Sequence, residues 1–171
     1  MNRTDMQKES LYVIKIGGNI IDDEQRLEAF LASFAALKGK KILVHGGGKL
    51  ATKLAADLNI PQQMVDGRRI TDAETLKIIT MVYAGLINKH VVAALQMHGT
   101  NAIGLTGADG NLILSEKRQN ASIDYGFVGD VKKVNTALLV SLLDNHMTVV
   151  VAPVTHNGKG SLLNTNADTI A

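Results

Sequence analysis

The sequence holds no cysteine and no tryptophan, only two prolines, and aromatic residues make up 4% of its 171 positions. Without cysteine there are no disulfides, no thiol redox chemistry and none of the usual zinc frameworks. So few rings exclude base-stacking platforms. A formal net charge of +2, from 18 basic and 16 acidic residues, lacks the strong basicity of a nucleic-acid binder. Met1 to Ser10 are polar and lack the apolar core of a signal peptide. Apolar runs long enough to span a membrane are missing as well, except after Thr71, where Lys77, Asn88, Lys89 and His90 interrupt the segment. These absences predict a cytoplasmic chain with one substantial core and neither nucleic acid nor membrane as partner.

What is present is glycine in two matching places. Tyr12-Val13-Ile14-Lys15-Ile16 is an apolar strand pattern with one cation that opens into Gly17-Gly18, and Ile42-Leu43-Val44-His45 opens into Gly46-Gly47-Gly48. Each strand leads through glycine into a helical pattern, so backbone N–H groups gather at one edge of a sheet, which suits anions and phosphate above all. Neither turn is a Walker A loop or a dinucleotide fingerprint, and Gly104, Gly107 and Gly110 have the wrong spacing for the latter and read as a plain loop. Lys15 is the strongest single candidate, because an ammonium in an apolar strand is costly unless it meets an anion or reaches water at the strand end.

Strand and helix patterns alternate along the chain. Residues 11–16 read as a buried strand, and Leu27, Phe30, Leu31, Phe34 and Leu37 follow at helical spacing between Asp22 or Asp23 and Gly39. Residues 41–45 form a second strand, followed by a helix from the triple glycine to near Pro61. This βαβα order predicts an α/β fold, a parallel sheet with helices on its faces. Thr71-Asp72-Ala73-Glu74 has the capping-box form and opens one helix running to Gly99, apolar on more than one side. Such a helix is either a central core helix or one whose outer side makes a dimer contact. Further strands are expected at 101–105 and 147–151, a helix at 135–144, and an exposed hairpin region over 111–133.

Other polar groups are individually weaker signals. Arg69, beside Arg68 and just before a helix start, can hold a carboxylate bidentately. Asn164, Asn166 and Asp168 alternate, so in an extended stretch they share a face; a self-capping turn would have the same composition. The five histidines show no metal-ligand spacing, and no metal site is expected; His45 stands out only for leading the triple glycine.

Taken together, Lys15-Ile16-Gly17-Gly18, His45-Gly46-Gly47-Gly48, Gly67-Arg68-Arg69-Ile70-Thr71 and Asn164-Thr165-Asn166-Ala167-Asp168 occur in an order and spacing that resembles the amino acid kinase family, in the branch acting on N-acetyl-L-glutamate. That resemblance implies a three-layer αβα sandwich with a mainly parallel open sheet of the carbamate kinase-like type, incomplete at the C-terminus. It implies ATP with Mg2+ as phosphoryl donor, the side-chain carboxylate of an N-acylglutamate as acceptor, and a role in arginine biosynthesis. Residue by residue, Lys15 would stabilise the moving phosphoryl group, and Asp168 would hold the catalytic lysines by charge. Gly17 and Gly18 would contact phosphate. Gly47, Gly48, Arg69, Asn164 and Asn166 would bind the acyl-amino acid. Family members are longer, so residues 1–171 are expected to form the acyl-amino-acid-binding and dimerisation lobe, with the ATP-binding lobe absent and little activity alone. The short polar start implies a homodimer insensitive to arginine.

The chemistry agrees with those roles. A carboxylate acceptor with an ordinary pKa of about 4.3 is already ionised at pH 7, so it needs no general base. It needs relief from repulsion between two anions, which lysines and clustered amides supply. Three rivals remain. His-Gly-Gly-Gly also forms oxyanion holes in hydrolases, although no Gly-x-Ser-x-Gly elbow accompanies it. A non-catalytic amino-acid-binding module would share these residues, as would family members acting on aspartate, glutamate, carbamate or UMP.

Overall fold

The computed structural model describes residues 9–65, 68–119 and 122–171. Asp66 and Gly67, at the start of one of the four motifs, lie outside the described residues, as do Met1 to Lys8. The central sheet has four parallel strands in the order β1 (Leu11–Ile16), β2 (Lys40–His45), β8 (Thr148–Val151) and β5 (Ala102–Leu105). Strands stand at all four expected positions. The register sets Ile16 opposite His45, so Gly17-Gly18 and Gly46-Gly47-Gly48 leave the sheet side by side.

The strands alternate between two cores, as a pleated strand covered on both faces must. Leu43 and Val150 are buried on one face with Leu31 and Phe34 of α2 (Glu24–Ala36), Ala51 and Ala55 of α3 (Gly48–Asp57), and Ile78, Val91 and Leu95 of the long helix. Ile42, Val44, Val149 and Val151 point to the other face, against Leu138, Leu139 and Leu143 of α6 (Thr136–Asp144) and Ala167 of α7 (Ala167–Ile170). Helix, sheet and helix make the three layers expected. Local chemistry sets the ends: Asp23 caps α2 through the Arg26 amide, and the Lys41 ammonium donates to Ala35 O and Leu37 O at its C-terminus. Burial depresses the Lys41 pKa.

Four expectations change. The strand at 11–16 is not buried: β1 is the sheet edge among the described residues, and Leu11 and Val13 are 53% and 45% exposed. An apolar run is covered only if elements flank it on both sides, and here β2 flanks one. Thr71 is not the cap of the long helix. It is fully buried in a bridge with Gly126, its amide donating to Tyr125 O and its carbonyl accepting from Phe127 N. With that backbone committed, the helix starts one residue later, and Asp72 caps it by accepting from the Thr75 amide at 2.7 Å.

The long helix does run to Met97, but not uniformly. It is α4 (Ala73–Ile79), then a π segment (Thr80–Ile87), then α5 (Asn88–Met97). The wider turns change the azimuth at which Ile87, Asn88 and Lys89 meet the sheet. By length and hydropathy Ala73–Met97 passes as a membrane span, but its Ile78, Ile79, Val82, Val91 and Leu95 are fully buried against the sheet.

Finally, the 111–133 region does contain an antiparallel hairpin, β6 (Ile113–Lys117) with β7 (Val128–Val134), but it is only partly exposed. With β9 (Val154–His156) and β10 (Leu162–Thr165) it closes a small barrel in which Ile113, Ser115, Val128 and Leu163 are buried. That barrel stands over the C-terminal ends of the sheet strands.

Candidate active site

Between the barrel and the sheet lies a cleft of about 280 Å³. It opens outside the carboxyl ends of parallel strands, the usual ligand position in open α/β sheets. Every candidate residue named from the sequence lines it: Lys15, Gly17, Gly18, Gly47, Gly48, Arg69, Asn164, Asn166 and Asp168. Residues from the first strand and the last helix of the chain thus meet in one place.

The floor is backbone. Gly17 precedes the short helix α1 (Gly18–Ile21), and Gly47 precedes α3, so the first amides of two helices face the cleft without intrahelical partners. Gly47 has φ +151, and a β-carbon there would stand 2.2 Å from Ile87 Cδ1. Only glycine fits between this turn and the π segment.

The walls carry charge. Lys15 Nζ lies 2.8 Å from Asp168 Oδ1. Asn166 caps α7 by accepting from the Asp168 amide at 2.7 Å, which sets the start of the turn bearing Asp168. Asn164, on β10, donates through Nδ2 to the buried Thr71 hydroxyl at 3.0 Å. The Arg69 guanidinium is braced by Gln62 Oε1, by Gly48 O at 3.1 Å and by Thr52 Oγ1 at 2.8 Å. It is therefore held against the start of α3, facing the glycine turn.

Three further groups line the cleft that the sequence did not assign to it. Arg118, just after β6, points into the cleft while its Nε makes two 3.1 Å hydrogen bonds to the Asp130 carboxylate. That guanidinium holds the Asp130 carboxyl below the usual range. Arg68, on β4 (Arg68–Ile70), which pairs antiparallel with β3 (Gln63–Val65), adds a fourth cation to the lining. Tyr83, buried on the π segment, also lines the cleft. Burial chiefly raises its phenol pKa; Arg69 opposes the rise and Asp22 adds to it. Nothing in the local sequence marks Arg118 or Tyr83, since barrel closure and the π register bring them in, whereas Arg68 belongs to the same motif as Arg69.

Lys15, Arg68, Arg69 and Arg118 against Asp168 and Asp130 leave the cleft with an excess of positive charge, and the glycine amides add to it. Such a site attracts small polyanions. It offers no carboxylate cage for a metal: no cluster of three or more His, Asp or Glu able to hold an ion occurs among the described residues.

The sequence signature of the amino acid kinase family matches residues 10–171. The chain belongs to that family. It is 65% identical over 167 residues to an acetylglutamate kinase of Cytophaga hutchinsonii, covering 97% of this chain and 62% of that protein. It is 61% identical to an acetylglutamate kinase of Phocaeicola vulgatus, covering 96% of this chain and 64% of the relative. An acetylglutamate kinase of Methanopyrus kandleri is 44% identical, with 93% and 63% covered. The chain thus spans slightly less than two thirds of the length of these relatives. Among solved structures, N-acetylglutamate synthase from Neisseria gonorrhoeae, complexed with coenzyme A and N-acetyl-glutamate, superposes with a TM-score of 0.78 at 23% identity. That match covers 93% of this chain and 37% of the synthase, and likeness at this identity speaks for the fold alone.

Proposed function

We propose that residues 1–171 are the acyl-amino-acid-binding and dimerisation lobe of a cytoplasmic phosphotransferase that uses ATP with Mg2+ to phosphorylate the side-chain carboxylate of N-acetyl-L-glutamate, or a related N-acylglutamate, in arginine biosynthesis. One observation carries this reading: Lys15, both glycine turns, Arg69 and Asn164 converge on a single positively charged cleft. The acetylglutamate kinases that share 44–65% of its residues support it.

In this reading the reacting carboxylate is ionised and attacks the terminal phosphorus directly. The bond from phosphorus to the nucleotide bridging oxygen breaks, and the acyl phosphate and the diphosphate leave. Lys15 and the amides around Gly18 and Gly47 take up charge on the phosphoryl oxygens as it moves. Arg69 and Asn164 hold the acyl-amino acid, Arg69 by its carboxylate, and Asn166 shapes the pocket through its cap. Asp168 serves as an anchor for Lys15 rather than a base. With no metal-holding acidic cluster among the described residues, the lobe would meet magnesium through the donor's phosphates.

The nucleotide would be held mainly by residues outside these 171, so the lobe alone binds acyl-amino acid and turns it over poorly. The outer side of the long helix, where Met81, Leu86 and Met97 are 52%, 48% and 70% exposed, would form the contact of a homodimer. Calorimetry of the 171-residue chain with N-acetylglutamate, beside a coupled assay of the complete protein, tests the reading. Absence of binding in the first and of turnover in the second would overturn it.

A further inference from the structure

His45 is fully buried beneath the triple glycine, and no step above uses it. Its Nδ1 lies 2.9 Å from Gly46 O, and its Nε2 lies 3.2 Å from Asn88 Nδ2. Asn88, 1% exposed at the start of α5, uses its second amide hydrogen on Val150 O at 3.2 Å, and its Oδ1 accepts from Lys89 Nζ at 3.0 Å. Lys89 Nζ donates in turn to Gly104 O on β5 at 2.8 Å. Only one proton assignment satisfies every member. An amide nitrogen can only donate, so His45 Nε2 accepts and Nδ1–H donates to Gly46 O.

Gly46 is therefore pinned on both sides, because its own N–H donates to Ile16 O at 3.0 Å at the end of β1. No peptide bond among the described residues is cis. In a trans peptide the N–H of Gly47 points opposite to the carbonyl of Gly46. With that carbonyl turned inward to His45, the Gly47 N–H is turned outward to the cleft that Gly46 and Gly47 line. The π segment supplies the remaining condition, since it sets the azimuth from which Asn88 reaches His45.

We propose that His45 is a positioning residue: locked as its Nδ1–H tautomer by Asn88 and Lys89, it fixes the Gly46–Gly47 peptide so that the Gly47 amide is presented to the bound anion. This rests on the cleft being the acyl-amino acid and phosphate site. Two substitutions separate the halves of the device. In His45→Asn the side-chain amide nitrogen occupies the place of Nδ1 and can still donate to Gly46 O. In His45→Gln the terminal group reaches the place of Nε2, keeping the Asn88 contact and losing the donor to Gly46.

The test uses the 15N-labelled 171-residue chain. Long-range imidazole spectra of the wild type are expected to show His45 as the neutral Nδ1–H tautomer, and the Nε2–H tautomer would overturn the proposal. The Gly47 and Gly48 amide resonances are expected to stay near their wild-type positions in His45→Asn and to move in His45→Gln. N-acetylglutamate binding is expected to weaken about 10-fold in His45→Gln and less than about 3-fold in His45→Asn. Equal effects of the two variants on those amides would overturn it, whatever their melting temperatures. The tautomer and amide readouts need no ligand. Failure of the wild type to bind N-acetylglutamate would therefore count against the proposed function and leave this inference to be decided by them.

Discussion

Lys15 and Asp168 belong to the first strand and the last helix of the chain, yet Nζ and Oδ1 meet at 2.8 Å at the mouth of the cleft. Their side chains are 30% and 69% exposed, so the pair is solvated and adds little to stability. Its value is positional. Under the proposed function, Lys15→Ala in the complete protein is expected to lower kcat by about 10²-fold or more while N-acetylglutamate binding stays within a few-fold. Asp168→Asn should also lower kcat, by a smaller factor, and leave the melting temperature nearly unchanged. Steady-state kinetics with calorimetry checks both.

Arg69 presents a different kind of cation, braced by Gln62, Thr52 and Gly48 rather than by a carboxylate. Its charge is therefore free for a ligand. Arg69→Ala is expected to weaken N-acetylglutamate binding by about 10- to 100-fold, and Arg69→Lys to recover only part, since a point charge cannot make the paired contact. Titration of each variant beside far-UV spectra reads this.

Burial lowers the His45 pKa from its ordinary value to about 4, with Lys89 adding to the effect and the bond to Gly46 opposing it. Below pH 6.5 the unfolded chain takes up a proton at His45 that the folded chain refuses. Stability should therefore fall as the pH drops from about 6.5 to 4, by roughly 3 kcal/mol from this group. Urea unfolding at a series of pH values measures the slope. His45→Asn, which removes the titrating group, should flatten that part of the profile.

The approach of Asn88 to the sheet depends on Gly104, where a β-carbon would stand 2.0 Å from Asn88 Oδ1 and 2.9 Å from Val92 Cγ2. Gly104→Ala is expected to destabilise the chain by about 1–3 kcal/mol through overpacking. It should also shift the Gly47 amide resonance, because the asparagine it displaces holds His45. An unchanged urea midpoint would contradict the packing described.

Much of the site could be read from the sequence, for a local reason. A glycine pair after an apolar run marks a tight strand-to-helix turn from a few neighbouring residues, and Lys15 and Arg69 declare their charge wherever they fall. The helix-start error at Thr71 shows the boundary of such reading. Thr and Asp both suit an N-cap, and the choice of Asp72 came from backbone pairing of Thr71 with Gly126 and its neighbours, far along the chain.

Alternating strand and helix patterns and permissive glycines were enough to specify a parallel α/β sheet with two glycine turns at one edge, because each acts over a few residues. Which charges meet there was settled by packing. The register of β1 on β2, the closure of the barrel that swings in Arg118, and the π turns that aim Tyr83 and Asn88 all arise from contacts between segments distant in sequence. Such contacts form only when the apolar faces find one another. Window-by-window composition does not encode them.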